Sequence, residues 1–119
     1  MSDTLKLTTE LINRKTLTPD DNGCQKLIAE RLKKNGFRAE HLRFDDVDNL
    51  WVTHGNSGPL FVFAGHTDTV PVGPIEKWNT DPFKAEIKEG YLYGRGAADM
   101  KSGVAAMVIA AERYVQKNP

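Results

Sequence analysis

Leu60-Phe61-Val62-Phe63-Ala64 runs directly into Gly65-His66-Thr67-Asp68-Thr69-Val70-Pro71. The first part is a continuous apolar run with no polar face. It reads as a strand buried on both sides, as in a mostly parallel sheet covered by helices. In open α/β sheets, functional groups collect just beyond the carboxyl ends of strands, and His66 and Asp68 occupy that position. Two residues apart on an extended backbone, their side chains point the same way. One could then ligate a metal while the other accepts the second ring N–H and fixes the tautomer. A His-x-Asp triplet is common by chance, so the spacing alone does not decide between a metal site and none.

Outward from this run, the chain reads as alternating helices and strands, an α/β pattern. Residues 4 to 14 place Leu5, Leu7, Leu11 and Ile12 on one side of a helix that Ser2 or Asp3 can cap. Thr18-Pro19-Asp20-Asp21 reads as a second helix start, with Thr18 as cap and Pro19 in the first turn. Cys24, Leu27, Ile28 and Leu32 then recur at helical spacing up to Gly36, which makes Cys24 a core thiol. Strands are expected over 38 to 44 and 49 to 54, a loop over 71 to 83, and a hairpin that turns at Glu89-Gly90. A final helix is expected from about Lys101 to Lys117, apolar nearly all round in its first half and therefore buried on more than one side.

Tyr91-Leu92-Tyr93-Gly94-Arg95-Gly96-Ala97-Ala98-Asp99-Met100-Lys101 precedes that helix. Small residues around one acid leave room for close backbone packing and for a carboxylate that bridges two ions. Taken by itself, Asp99 reads more readily as a helix cap than as a ligand, and the two roles compete for the same oxygens. A phosphate loop is disfavoured, because Met100 stands where a Walker-type loop needs glycine before Lys101-Ser102. His41 and His54 read as surface residues, and Trp51 and Trp78 as packing residues. Arg95, between two glycines, is either structural or a carboxylate holder.

Composition narrows the function classes. The 119 residues carry 16 lysines and arginines against 16 aspartates and glutamates, so no global field favours nucleic acid or an anionic membrane. No apolar run is long enough to span a bilayer, and Met1-Ser2-Asp3-Thr4 lacks the basic start and apolar stretch of a signal peptide. Cys24 is the only cysteine, which excludes an internal disulfide and fits a cytoplasmic setting.

Taken together, the His66 segment and the Gly94-to-Lys101 segment resemble the M20 family of metallopeptidases and deacylases. The resemblance covers essentially all of the chain. It implies part of a three-layer αβα zinc-peptidase-like catalytic domain, with residues 1–119 as its N-terminal part. The lid and dimerisation domain and the C-terminal catalytic part are not in the sequence. It implies two zinc ions, or cobalt, with His66 binding one ion, Asp99 bridging both, and Asp68 as the active-site acid that positions His66. It implies amide hydrolysis of a small molecule by a full-length homodimer. Thr18-Pro19-Asp20-Asp21, Gly23-Cys24-Gln25 and Asn49-Leu50-Trp51 favour a member that hydrolyses N-succinyl-LL-2,6-diaminopimelate, in lysine and diaminopimelate biosynthesis, over an acetylornithine deacetylase or a carboxypeptidase. The family's Glu-Glu pair and two later ligands have no counterpart in the chain. A truncated form is therefore expected, with weak or absent two-metal binding on its own and some exposed apolar surface. A non-catalytic interaction module is the reading from a different class.

Overall fold

The computed structural model describes residues 1–119. Three helices build its core. Helix α1 (Asp3–Ile12) begins where Ser2 Oγ accepts the Leu5 N–H at 3.1 Å, and it buries Leu7, Leu11 and Ile12 completely. Helix α2 (Cys24–Lys33) contributes Cys24, Ile28 and Leu32, and helix α3 (Ser102–Lys117) contributes Val104, Ala105, Val108 and Ile109. With Leu7 and Leu11 these form one continuous apolar cluster. Full burial of each large aliphatic side chain contributes about 1.5–3 kcal/mol. Burial pushes the Cys24 thiol up to about 11, so it stays protonated and serves as packing. At the edge of the cluster Arg31 of α2 meets Glu112 of α3 at 2.7 Å, and Asn35 donates to the same carboxylate at 3.2 Å.

Two hairpins flank the helices. Strands β1 (Arg38–Phe44) and β2 (Val47–Thr53) pair antiparallel, as do β3 (Glu86–Lys88) and β4 (Tyr91–Tyr93). The second hairpin turns at Glu89 and Gly90, both at positive φ (52° and 82°), the geometry that two-residue hairpins favour. None of the three helices is long and apolar enough to cross a membrane.

Two sequence expectations are corrected. Thr18-Pro19 does not open α2, which starts at Cys24 after Gly23. Thr18 is instead drawn into an extended segment beside residues 67–69, where its N–H donates to the Thr69 carbonyl at 2.9 Å. The capping role passes to Asp21, whose Oδ2 accepts the Gln25 N–H at 2.9 Å. The second correction concerns residues 60–64. The α/β class stands, but the mostly parallel central sheet does not form among these residues. The sheets are the two antiparallel hairpins, and the one parallel contact is the Leu17–Thr69 bridge. The apolar run joins no ladder, and Leu60 and Phe61 are 76% and 81% exposed. A central strand needs partners on its edges and cover on both faces, and neither hairpin lies beside residues 60–64.

This arrangement predicts a sharp contrast in amide hydrogen exchange. Phe61, Val62 and Phe63 should exchange near the rate of unstructured peptide, while Leu11 of α1 and Val108 of α3 are strongly protected. Protection at residues 61 to 63 comparable to the helices would contradict the unpaired strand.

Candidate metal centre

Residues 66 to 69 follow the apolar run in extended form and divide their work by alternation. Thr67 and Thr69 are buried, whereas His66 and Asp68 project to the open side. The buried pair is tied to residues 16–21. Thr16 Oγ1 donates to the Thr67 carbonyl at 2.9 Å, and the Thr69 N–H and hydroxyl both donate to the Thr16 carbonyl. Thr67 Oγ1 donates to Asp21 Oδ1, and Thr18 Oγ1 donates to Asp68 Oδ2. Upstream, Gly65 lies against Met100 and Val104, where a Cβ would stand 3.2 Å from both side chains. The loop is thus gripped on its buried side, with His66 on the open side and Asp68 tied back only through Oδ2.

Asp99 reaches the same place from the other segment. Gly96 adopts φ +86° and lies over Thr69 and Lys101, so that a Cβ there would come within 2.8 Å of Thr69 Cγ2. Only glycine fits both the conformation and the contact. Asp99 itself is extended (φ −125°, ψ 96°) ahead of α3 and caps nothing, and its side chain is 87% exposed. The helix-cap reading of Asp99 is thereby set aside.

The two segments meet at the imidazole. His66 Nε2 lies 3.1 Å from Asp99 Oδ1, while Nδ1 lies 2.9 Å from the Asp68 carbonyl oxygen and 3.3 Å from Asp68 Oδ1. Asp68 therefore supports the ring through its backbone as well as its carboxylate. The Asp68 carbonyl is the main reason the His66 pKa is raised above its ordinary 6.5, and partial burial opposes it. The Asp99 hydrogen bond and the charges of Asp68 and Asp99 add to the rise.

The donor chemistry fits a divalent ion. One tetrahedral ion at ~2.0–2.2 Å from an imidazole nitrogen and a carboxylate oxygen would hold them roughly 3.4 Å apart. The observed 3.1 Å is a few tenths of an ångström shorter. These two donors form no group of three His, Cys, Asp or Glu side chains able to hold a metal. His41 and His54 stand elsewhere, both exposed, with the His54 ring tilted at 50° against Phe37. Arg95 lies over the Trp78 ring at 5.2 Å and donates to the Pro71 carbonyl at 3.4 Å, a loop-holding role.

One residue of the site is invisible in the sequence pattern. Lys101 is 1% exposed, and its Nζ donates to the carbonyls of Leu11 and Arg14 at 2.8 and 3.0 Å, at the end of α1. Burial pulls its pKa below the ordinary 10.5. Its backbone N–H donates to the Gly96 carbonyl at 2.7 Å, which closes the turn that carries Asp99. In the sequence, a lysine at the start of a helix carries no signal of burial.

Two outcomes follow. Lys101→Met keeps the aliphatic stem but removes both bonds, leaving the Leu11 carbonyl to the Arg14 N–H and the Arg14 carbonyl without the ammonium, and should cost about 1–3 kcal/mol in chemical denaturation; a loss under 0.5 kcal/mol would deny Lys101 this role. In an NMR titration His66 should titrate above 6.5, and Asp99→Asn should lower that value. Because the folded pKa is raised, the stabilisation is fully present below pH 6.5 and fades as pH rises through the folded value. Titration of His66 below 6.5 would overturn the assignment.

With this geometry in hand, likeness to known proteins becomes informative. Residues 62–119 match the model of peptidase family M20/M25/M40. The chain is 62% identical over 119 residues to a succinyl-diaminopimelate desuccinylase of Thioalkalivibrio sulfidiphilus, covering 100% of this chain and 32% of that protein. It is 60% identical over 119 residues to the desuccinylase of Stenotrophomonas maltophilia, again 100% and 32%. Against the desuccinylase of Acinetobacter baylyi it is 58% identical over 118 residues, 99% of this chain and 31% of that one. The chain thus spans about a third of the length of these relatives. In three dimensions it is similar to an M20 family metallo-carboxypeptidase of Sulfolobus solfataricus, with a TM-score of 0.87 at 24% identity over 99% of this chain and 28% of that one. It is also similar to human carnosine dipeptidase 1, with a TM-score of 0.76 at 22% identity over 97% of this chain and 28% of that one. At these identities the structural likeness speaks for the fold. Residues 62–119 therefore resemble peptidase family M20/M25/M40, and the whole chain is similar to about a third of the length of succinyl-diaminopimelate desuccinylases.

Proposed function

We propose that this chain supplies part of the active site of a metal-dependent amide hydrolase acting on N-succinyl-LL-2,6-diaminopimelate, with succinate and LL-2,6-diaminopimelate as products. The observation that carries the reading is His66 Nε2 facing Asp99 Oδ1 at 3.1 Å, with Nδ1 held from behind by Asp68. The choice of substrate rests on the desuccinylase names of the relatives at 58–62% identity.

In this reading His66 would hold one zinc or cobalt ion, Asp99 would be shared between two, and Asp68 would position His66. When bound, such a pair supplies a Lewis acid and a water of lowered pKa. The protein's own part is preparation. His66 can offer the Nε2 lone pair only as the neutral tautomer protonated on Nδ1, and donation from Nδ1 to the Asp68 carbonyl selects that tautomer. The nearby Asp68 carboxylate makes the ring a stronger base. Asp99 keeps both oxygens free of helix N–H groups, so neither is spent on a cap. No Glu-Glu pair occurs in residues 1–119, so the proton step is assigned to a residue beyond them. The occupant is a small molecule, and the longer protein is a homodimer in this proposal.

In the longer protein that carries this chain, His66→Ala and Asp99→Ala should each remove bound zinc and most turnover. Asp68→Ala should cost roughly 10–100-fold in metal affinity or activity. A succinylated diamino acid should be cleaved in preference to an acetylated amine. Near-normal zinc content and activity in His66→Ala would sink the ligand assignment, and preference for the acetyl substrate would sink the desuccinylase reading.

A further inference from the structure

Asp68 has two carboxylate oxygens with different surroundings. Oδ1 lies 3.3 Å from His66 Nδ1, and Oδ2 accepts a hydrogen bond from Thr18 Oγ1. Thr18 Oγ1 also lies 3.2 Å from the Thr69 carbonyl. A hydroxyl has one proton to give, and the charged, closer carboxylate is the stronger acceptor. Thr18 cannot drift from this place, because its own N–H is spent on Thr69 O at 2.9 Å and the adjacent Leu17 bridges to Thr69. Free rotation would let Asp68 turn both oxygens to water, since its side chain is about one-third exposed. With Oδ2 tethered, Oδ1 remains beside the imidazole.

We infer that Thr18 is a positioning residue of the metal centre, acting through Asp68: its hydroxyl sets the carboxylate orientation that in turn orients His66. The inference rests on the metal-centre reading above and extends it by one shell, along Thr18, Asp68, His66 and Asp99. It also gives Thr18 a reason to be a hydroxyl residue other than the helix cap it does not form.

The test compares Thr18→Val and Thr18→Ser in the longer protein. Val keeps the shape and removes the hydroxyl; Ser keeps the hydroxyl and removes the methyl. Zinc affinity is measured by chelator competition, alongside kcat and KM for the succinylated substrate and the thermal midpoint. Val should weaken zinc affinity and lower kcat by about 10-fold each, with KM and the thermal midpoint near wild type, as losses of outer-shell partners do. Ser should restore both to within a few-fold. Wild-type zinc affinity in Val, or a loss in Ser equal to that in Val, overturns the inference. His66→Ala separates the two levels. If it loses zinc while Thr18→Val does not, only the role of Thr18 fails; if it keeps zinc and activity, the metal-centre reading fails first.

Discussion

The ammonium of Lys101 on the last carbonyls of α1 is the contact on which the arrangement turns. A helix ends with carbonyls that have no partner inside it and with the negative end of its dipole. Here Lys101 Nζ donates to the Leu11 carbonyl, which also accepts the Arg14 N–H, and to the Arg14 carbonyl two residues past the end of α1. Desolvating an ammonium is unfavourable, as the lowered pKa shows, so the two bonds must offset that cost. Lys101 is also two residues from Asp99 and directly precedes α3. One side chain therefore fixes α1, the start of α3 and the ligand-bearing turn in a single relation. Gly96 must lack a Cβ because the lysine stem and Thr69 lie in its way.

A second set of contacts aligns the other half of the site. Residues 16 to 21 run beside 67 to 69 and bind them through backbone and hydroxyl groups, with threonine on both sides. Extended alternation buries Thr67 and Thr69 against this support and leaves His66 and Asp68 on the open side, where Asp68 Oδ2 alone returns to it through Thr18. Support and chemistry thus share four consecutive residues without competing for the same atoms. The resulting His66–Asp99 contact joins positions 33 residues apart.

What the sequence disclosed was mostly local. The Glu89-Gly90 turn, the strand at 38–44, the final helix and the buried Cys24 follow from patterns within a few residues of each other, and all four are found. The M20 resemblance, read from two separated segments, is also found. What was missed depends on distant partners. Thr18 has every mark of a helix cap, but Thr69 and Asp68, about fifty positions away, bind the same groups. A lysine at a helix start looks like a surface cation until the end of α1 is known to lie beneath it. Residues 60–64 have the composition of a central strand, but composition states a demand for neighbours and cannot supply them.

That unpaired strand separates two problems that α/β enzymes usually solve together. In an open sheet the ligand loop is held by the strand that delivers it. Here the strand contributes no ladder bonds, yet His66 still faces Asp99 at hydrogen-bond distance. Within residues 1–119 the loop is held by Gly65 against Met100 and Val104 and by Thr69 against the extended segment at Thr16 and Leu17, and Asp99 is held through Lys101 and α1. A site assembled this way gains its first pair of donors from helix packing and short hydroxyl bonds, which form from contacts already present within residues 1–119.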